Sequence, residues 1–371
     1  MYADAFGGNT TTFINNEIEY LSQNNDLTFA CIIKKESKFF DFKNVKKLNY
    51  KDSFFQRILK KFDISLNYKN KIFAEELNDL INAIKPDVIH CHFGKEALKI
   101  IDNLNDKSIP IVIHFHGYDA SSALKSSSYV ERLKEVLSQD RIYPIFVAKY
   151  LRQNLLNLNI PVKNETILHC GINLEKFHPE DNRKKRKEKI FLQVSSLVEK
   201  KGHEYTIQAF SKFLDAQSEK KYRLILTGDG PRKALLEQLV SDLDIKDKVD
   251  FIGYVTPDKA IELMQNADVF LHHSITAING DQEGIPTALM EAMAMKLPVV
   301  STIHSGIPEL VSDRVNGYLV KEKDVNTYSL KLAEALKIDR ISQNRITIEE
   351  DFELIKHNQK LFQLYETVTG K

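Results

Sequence analysis

One rhythm in this chain narrows the folds open to it more than any other feature: a short run rich in Val, Ile and Phe, a polar loop, then a helical stretch, again and again. In the first half the runs are LTFACIIK (27–34), PDVIHCHF (86–93), PIVIHFH (110–116), IYPIFVA (142–148) and ETILHC (165–170). In the second half they are IFLQVSS, YRLILTG, KVDFIGY, DVFLHHS, PVVST and GYLV. Between them EYTIQAFSKFLDAQ, RKALLEQLVSDL and PDKAIELMQNA carry apolar residues at three- and four-residue spacing, which predicts helices. The last of these has Thr256 placed as N-cap and Pro257 at the first helical position. Strands alternating with helices in this way mean βαβ units and parallel sheets, an α/β fold of doubly wound, Rossmann-like domains.

A length of 371 residues suits two such domains better than one core. The polar, basic stretch HPEDNRKKRKEK (178–189) separates the two sets of strands. The expected division is a first domain over 1–180, a basic linker over 181–189, a second domain over 190–345 and one terminal helix over 346–371. Only MYADAF precedes the first glycine turn, so the opening strand is expected to be short or truncated.

Bulk properties exclude several classes. A net charge of +1 rules out nucleic-acid binding by the molecule as a whole. No run approaches the roughly 18 apolar residues of a membrane span, and the start lacks the basic and apolar regions of a signal peptide. Three scattered cysteines, Cys31, Cys91 and Cys170, fit a reducing cytoplasm. One local exception is residues 34–62, with ten Lys/Arg against three acids and six interleaved phenylalanines. That composition fits peripheral contact with an anionic membrane at its inner face, or equally a solvated helix whose Phe residues join the core.

Several loops have the character of an anion site. GGNTT (7–11), LTGDGPRK (226–233), EGIPT and SGIPEL (305–310) put Gly, or Gly with Pro, where strands turn into helices. There the backbone approaches a ligand closely and unpaired N–H groups attract phosphate. TGDGPRK lacks the third glycine of a dinucleotide fingerprint, and no GxxxxGK[ST] exists. Glu283 and Glu291 flank the helix start in GDQEGIPTALMEAMAMKLPVV. Carboxylates grip vicinal hydroxyls in pairs, so a nucleotide diphosphate-sugar fits: Glu291 on the ribose, Glu283 on the sugar, and the helix N-terminus at Gly284, Ile285, Pro286 and Thr287 facing the phosphates. A capping acid beside a solvated face is the plainer alternative. The pairs His90/His92 and His114/His116 each share a strand face, but a zinc site needs a third or fourth ligand, so they read as a polar floor and no metal is expected. His272 and His273 close a strand of the second domain, and Asp242 and Asp244 read as surface.

At these motifs the sequence resembles the retaining glycosyltransferases of family 4, including their colanic-acid and exopolysaccharide members. EGIPTALME looks like that family's E-x7-E motif, HFHGYDAS (114–121) like its HGxD segment, and NETILHCGINLEKFHP like the end of its first domain. SLVEKKG resembles the tail of a GRLxxxKG element and TTTFINNEI a SETFI-type opening. The resemblance implies a GT-B fold, with two Rossmann-like domains facing each other across a cleft and a C-terminal helix returning to the first. It implies an acceptor-side first domain, a nucleotide-sugar-binding second domain, and transfer from a UDP- or GDP-sugar with retention, without metal or cofactor, to a glycan or lipid-linked acceptor in surface polysaccharide synthesis. Lys201 would neutralise the diphosphate, helped by the backbone N–H of Gly8. His116 would sit beside the donor sugar, Asp119 near the acceptor. Gly230 lies in the second-domain glycine loop, and Tyr254 falls where the base would lie. Two positions depart from the family pattern: Ser196 stands where an arginine is usual, with Lys200 or Arg232 as substitutes, and Lys296 stands where a glycine is usual. Rival readings are a nucleotide-sugar epimerase on the same scaffold and an impaired nucleotide-sugar-binding protein, with a nicotinamide dehydrogenase last.

Overall fold

The computed structural model describes residues 1–6, 12–23, 25–35, 42–63, 68–180, 187–218, 221–338 and 340–370. Gly7 and Gly8, and residues 181–186 of the expected linker, lie outside them. The chain forms two units, one of Met1–Gly171 with Ile355–Lys371 and one of Ile172–Leu354.

In the first unit a parallel sheet runs in the order Ile89–His92, Ile111–Phe115, Ile142–Phe146, Thr166–Ile167. Helices pack on it, and its first three strands are almost wholly buried while the edge strand Thr166–Ile167 is half-buried. The stretch 27–34 does not form one strand. Phe29–Cys31 pairs with Val45–Lys47 and Ile33–Lys34 pairs with Ala5–Phe6. The partner change falls where the amides of Ile32 and Ile33 both donate to the Asp4 carbonyl, at 3.0 and 2.8 Å. The short opening strand is held by Tyr2, which bridges Ala30 on one side and Cys91 on the other.

In the second unit six parallel strands lie in the order Val249–Gly253, Tyr222–Thr227, Lys189–Val194, Val269–His272, Val299–Thr302, Tyr318–Val320. The order runs outward in one direction from Lys189–Val194 and then resumes on its other side at Val269–His272, a doubly wound sheet with its switch point between those two strands. Phe191 packs edge-on against Phe210 and Phe213, at 5.5 and 5.2 Å, in its core. Helix Pro257–Asn266 starts as its sequence requires, with the Thr256 hydroxyl accepting from the Lys259 amide at 3.2 Å. Lys296 takes the left-handed conformation, φ 62°, at a cost of about 1 kcal/mol relative to glycine.

The expected single terminal helix is two helices, Ser342–Asp351 and Leu354–Thr369. The break is a packing event: Phe352 is buried, its carbonyl accepts from the Ile172 amide at 2.8 Å, and the Leu354 amide donates to the Ile172 carbonyl at 3.0 Å. The second helix belongs to the first unit, where His357 Nε2 lies 3.2 Å from Glu17 Oε1 in helix Thr12–Leu21.

Candidate active site

In an open α/β sheet, ligands collect beyond the carboxyl ends of the strands at the switch point. In the second unit the chain leaving Lys189–Val194 carries Ser196 and Lys201, and the chain leaving Val269–His272 carries Ser274 and Glu283. Lys201 Nζ donates to Glu283 Oε2 at 2.7 Å. Ser274 Oγ donates to Glu283 Oε1 at 3.4 Å, and His272 Nε2 stands 3.7 Å from the same oxygen. Burial by itself pushes the Glu283 carboxyl up, but Lys201, His272 and Lys200 outweigh it and hold the group well below the ordinary glutamate range. Glu283 is therefore an ionised acceptor. Lys201 is placed by its own backbone: buried Gln193 donates to its carbonyl at 2.9 Å and accepts from the Thr206 hydroxyl at 2.8 Å. Gly202 follows at φ 57°, and a Cβ there would lie 1.9 Å from the His273 carbonyl oxygen.

The glycine loop after Tyr222–Thr227 packs onto the same turn. The Leu197 amide donates to the Asp229 carbonyl at 2.9 Å, and a Cβ at Gly230 would meet the Leu197 carbonyl oxygen at 2.5 Å. Glycine at 230 thus has a packing reason whether or not a phosphate approaches. Ser196 is half-buried beside it. Of the cations suggested to replace the missing arginine, Lys200 pairs with Asp281 at 2.9 Å and Arg232 pairs with Glu204.

Gly284, Ile285 and Pro286 are buried and lead into helix Thr287–Ala294, whose N-cap position is Pro286. Proline offers no side-chain acceptor, so no side chain caps this N-terminus. Glu291 lies on the helix's second turn. Among the described residues no hydrogen-bond or ion-pair partner reaches its carboxyl, and burial pushes that group up to about 7. A carboxyl so perturbed without a structural partner is a candidate for a binding role. Tyr254 is 51% exposed just past the edge strand Val249–Gly253.

In the first unit His116 follows strand Ile111–Phe115. Its Nε2 meets His92 Nδ1 at 3.1 Å, and its ring packs against Phe13 and Phe93 at 4.5 and 4.8 Å. Burial, then the nearby His357, lowers it to about 3, so the imidazole is neutral. Asp119 is fully buried. Its Oδ1 accepts from the amides of His116 and Gly117, both at 3.0 Å, and its Oδ2 from the amide of Gly94 at 2.9 Å. Both oxygens are committed to backbone, so Asp119 shapes the turn that presents His116.

Two family models cover most of the chain: Glycosyl transferases group 1 over residues 175–350 and Glycosyltransferase Family 4 over residues 49–176. A relative from Salmonella typhimurium, the WcaL glycosyltransferase assigned to colanic acid biosynthesis, is 32% identical over 76% of this chain and 71% of its own. This chain belongs to glycosyltransferase family 4. The amylovoran biosynthesis glycosyltransferase AmsK of Erwinia amylovora is 30% identical over 72% of this chain and 66% of its own. The fold agrees: the Anabaena protein Alr3699/HepE, solved in complex with UDP and glucose, superposes with a TM-score of 0.74 at 16% identity, covering 98% of this chain and 97% of that one. Its fold is that of the GT-B glycosyltransferases.

Sequence reasoning did not pick out His304 or Glu322. His304 Nδ1 meets Glu322 Oε1 at 2.6 Å, and its Nε2 accepts from the Glu283 amide at 3.3 Å. The Ser305 hydroxyl donates to the Glu283 carbonyl. Together they fix the backbone of the site's central carboxylate. The available signal was position, since each follows the end of a parallel strand, but many other polar residues share it.

Proposed function

We propose that this family member transfers a hexose, with retention of configuration, from a nucleotide diphosphate-sugar to a glycan or lipid-linked saccharide of a bacterial surface polysaccharide. The observation that carries this reading is the grouping at the second unit's switch point: an ionised Glu283 paired to Lys201. An ammonium has three donors. Glu283 takes one, leaving two for diphosphate oxygens, while the uncapped N-terminus of helix Thr287–Ala294 adds amides and a favourable dipole. Glu291 grips the ribose hydroxyls and Glu283 a hydroxyl of the sugar.

The bond from the anomeric carbon to the diphosphate breaks, and its electron pair leaves with the nucleotide. The acceptor oxygen bonds to the same face of that carbon, and its proton passes to a phosphate oxygen. Charge develops on the leaving group, so preorganised donors supply the catalysis and the diphosphate needs no metal. From the first unit the reading takes His116 as a residue serving transfer and Asp119 as the residue positioning it. The WcaL and AmsK relatives favour an exopolysaccharide product, and the UDP complex of the Anabaena protein favours a UDP-sugar.

A thermal-shift panel of UDP, GDP, ADP and their sugars tests the binding half. Transfer from the best donor to a lipid-linked saccharide, with chelator present, tests the chemical half. Binding without transfer would support the impaired-enzyme alternative, for which the pairing of Lys200 and Arg232 with Asp281 and Glu204 speaks. A lipid-linked acceptor also suits helix Phe54–Lys61, where Ile58 and neighbouring Phe62 are exposed beside basic residues. Salt-sensitive co-sedimentation with anionic but not neutral vesicles is expected; equal sedimentation with both would refute it.

A further inference from the structure

The histidine pairs of the first unit do not stand alone. His90 and His92 share one face of their strand, and the ladder sets His92 directly across from His114. Glu17 reaches the same spot from helix Thr12–Leu21. One ligand atom from each of Glu17, His90, His92 and His114 lies within 4.8 Å of every other, and all four side chains are buried. The fourth ligand whose absence argued against a metal is thus supplied by the fold.

The polar atoms here are unsatisfied in a patterned way. Glu17 Oε2, His90 Nε2, His92 Nε2 and both ring nitrogens of His114 lack hydrogen-bond partners among the described residues. The opposite nitrogens of two rings are anchored: His90 Nδ1 meets Tyr365 Oη at 2.6 Å and His92 Nδ1 meets His116 Nε2 at 3.1 Å. That is the arrangement of ligating histidines, one nitrogen fixed by an outer partner and the other presented inward. His357 sharpens the point. Its Nδ1 donates to the His169 carbonyl at 2.7 Å, so its Nε2 turns toward Glu17 Oε1 at 3.2 Å. Burial keeps His90, His92 and His114 neutral, the form that binds metal.

We propose that Glu17, His90, His92 and His114 form a closed structural site for a divalent transition metal of the zinc class, clamping helix Thr12–Leu21 to the two strands. Imidazole and carboxylate donors without a thiolate select zinc, with iron(II) or cobalt(II) as substitutes. Tetrahedral bonds of about 2.0–2.1 Å put ligand atoms about 3.3 Å apart. His92 Nε2 stands 3.5 Å from Glu17 Oε2 and His114 Nδ1 3.9 Å from Glu17 Oε1, so the carboxylate faces both rings, and the four ligand atoms, within 4.8 Å of one another, draw in on binding. With all four positions filled by protein, the ion has no open coordination site for a substrate. The proposal is independent of metal-free chemistry at Lys201 and Glu283.

The test uses the full chain carrying a tag without histidines, with metal content measured by mass spectrometry after gel filtration. About one zinc-class ion per chain is expected. Stripping with dipicolinate should lower the melting temperature, and added zinc should restore it. Glu17→Gln and His114→Phe should lose the ion, while His178→Ala at an exposed position should keep it. Should those variants fail to fold, cobalt-reconstituted wild type decides the matter: X-ray absorption should show three imidazoles and one carboxylate oxygen. Metal far below one equivalent together with no thermal response to zinc, or a spectrum showing sulfur or water ligands, overturns the proposal and leaves a hydrated histidine stack in its place.

Discussion

Replacing Glu291 by Gln should make the ligand-free protein more stable and the nucleotide complex weaker. The carboxyl is raised to about 7 by burial. An unfolded chain releases the same proton near 4.5. Between those values the native state binds the extra proton, so stability falls as pH rises through the window. Every tenfold difference in proton affinity between the folded and unfolded chain is worth about 1.4 kcal/mol, so the ionised group costs at most about 3 kcal/mol at pH 8 relative to pH 4. Gln keeps the shape and removes that cost. Glu291→Gln should therefore melt several degrees above wild type at pH 8, roughly 5–10 °C at the upper bound, and show little difference at pH 4. Ribose hydroxyls bond more strongly to an ionised acceptor, so wild-type affinity for UDP should fall as pH drops below about 7. In the variant that pH dependence should vanish, and binding at pH 8 should weaken roughly tenfold to a hundredfold, the worth of a charge-assisted hydrogen bond. Differential scanning fluorimetry at the two pH values and calorimetric titration with UDP read both effects. A variant less stable than wild type at pH 8, or one that keeps full affinity, would refute the assignment.

Glu283→Gln should cost about 3 kcal/mol in urea denaturation by leaving Lys201 part-buried without its anion, and should cut transfer at least a hundredfold while UDP still binds. Asp119→Ala removes the acceptor for three backbone amides. A loss of about 3 kcal/mol is expected, with Asp119→Asn milder, both measured by chemical denaturation. Gly202→Ala puts a methyl group into the His273 carbonyl at a left-handed position. It should destabilise by roughly 1–3 kcal/mol and, by displacing Lys201, weaken UDP binding.

How far the fold and site could be read in advance follows from the range of each cue. Apolar runs are local, so the six strands of the second unit and the four of the main first-unit sheet were legible, as was the Thr256 cap, whereas the split of 27–34 and the polar strand Val45–Lys47 were not. The break at Phe352 was not, because Ile172 creates it from 180 residues away in the sequence. The same limit divides the candidate site. Glu283 and Glu291 flank one helix start and could be singled out from a single stretch, yet the contact that sets the charge of Glu283 comes from Lys201, 82 residues earlier. In the first unit, two-residue spacing put His90 with His92 on one face, whereas Glu17 joins them only because helix Thr12–Leu21 lies over the strand ends. Within TFINNEIEYL that glutamate reads as a solvated residue, and its burial at 1% exposure contradicts its chemistry until its neighbours are counted. Burial pushes the Glu17 carboxyl up, with the His357 hydrogen bond opposing, and an ionised carboxylate among neutral imidazoles is costly unless something positive joins them. The tension that sequence periodicity could not register is therefore the same one that argues for a cation there, and it sets that cluster apart from the switch-point site, where Lys201 already supplies the charge Glu283 needs.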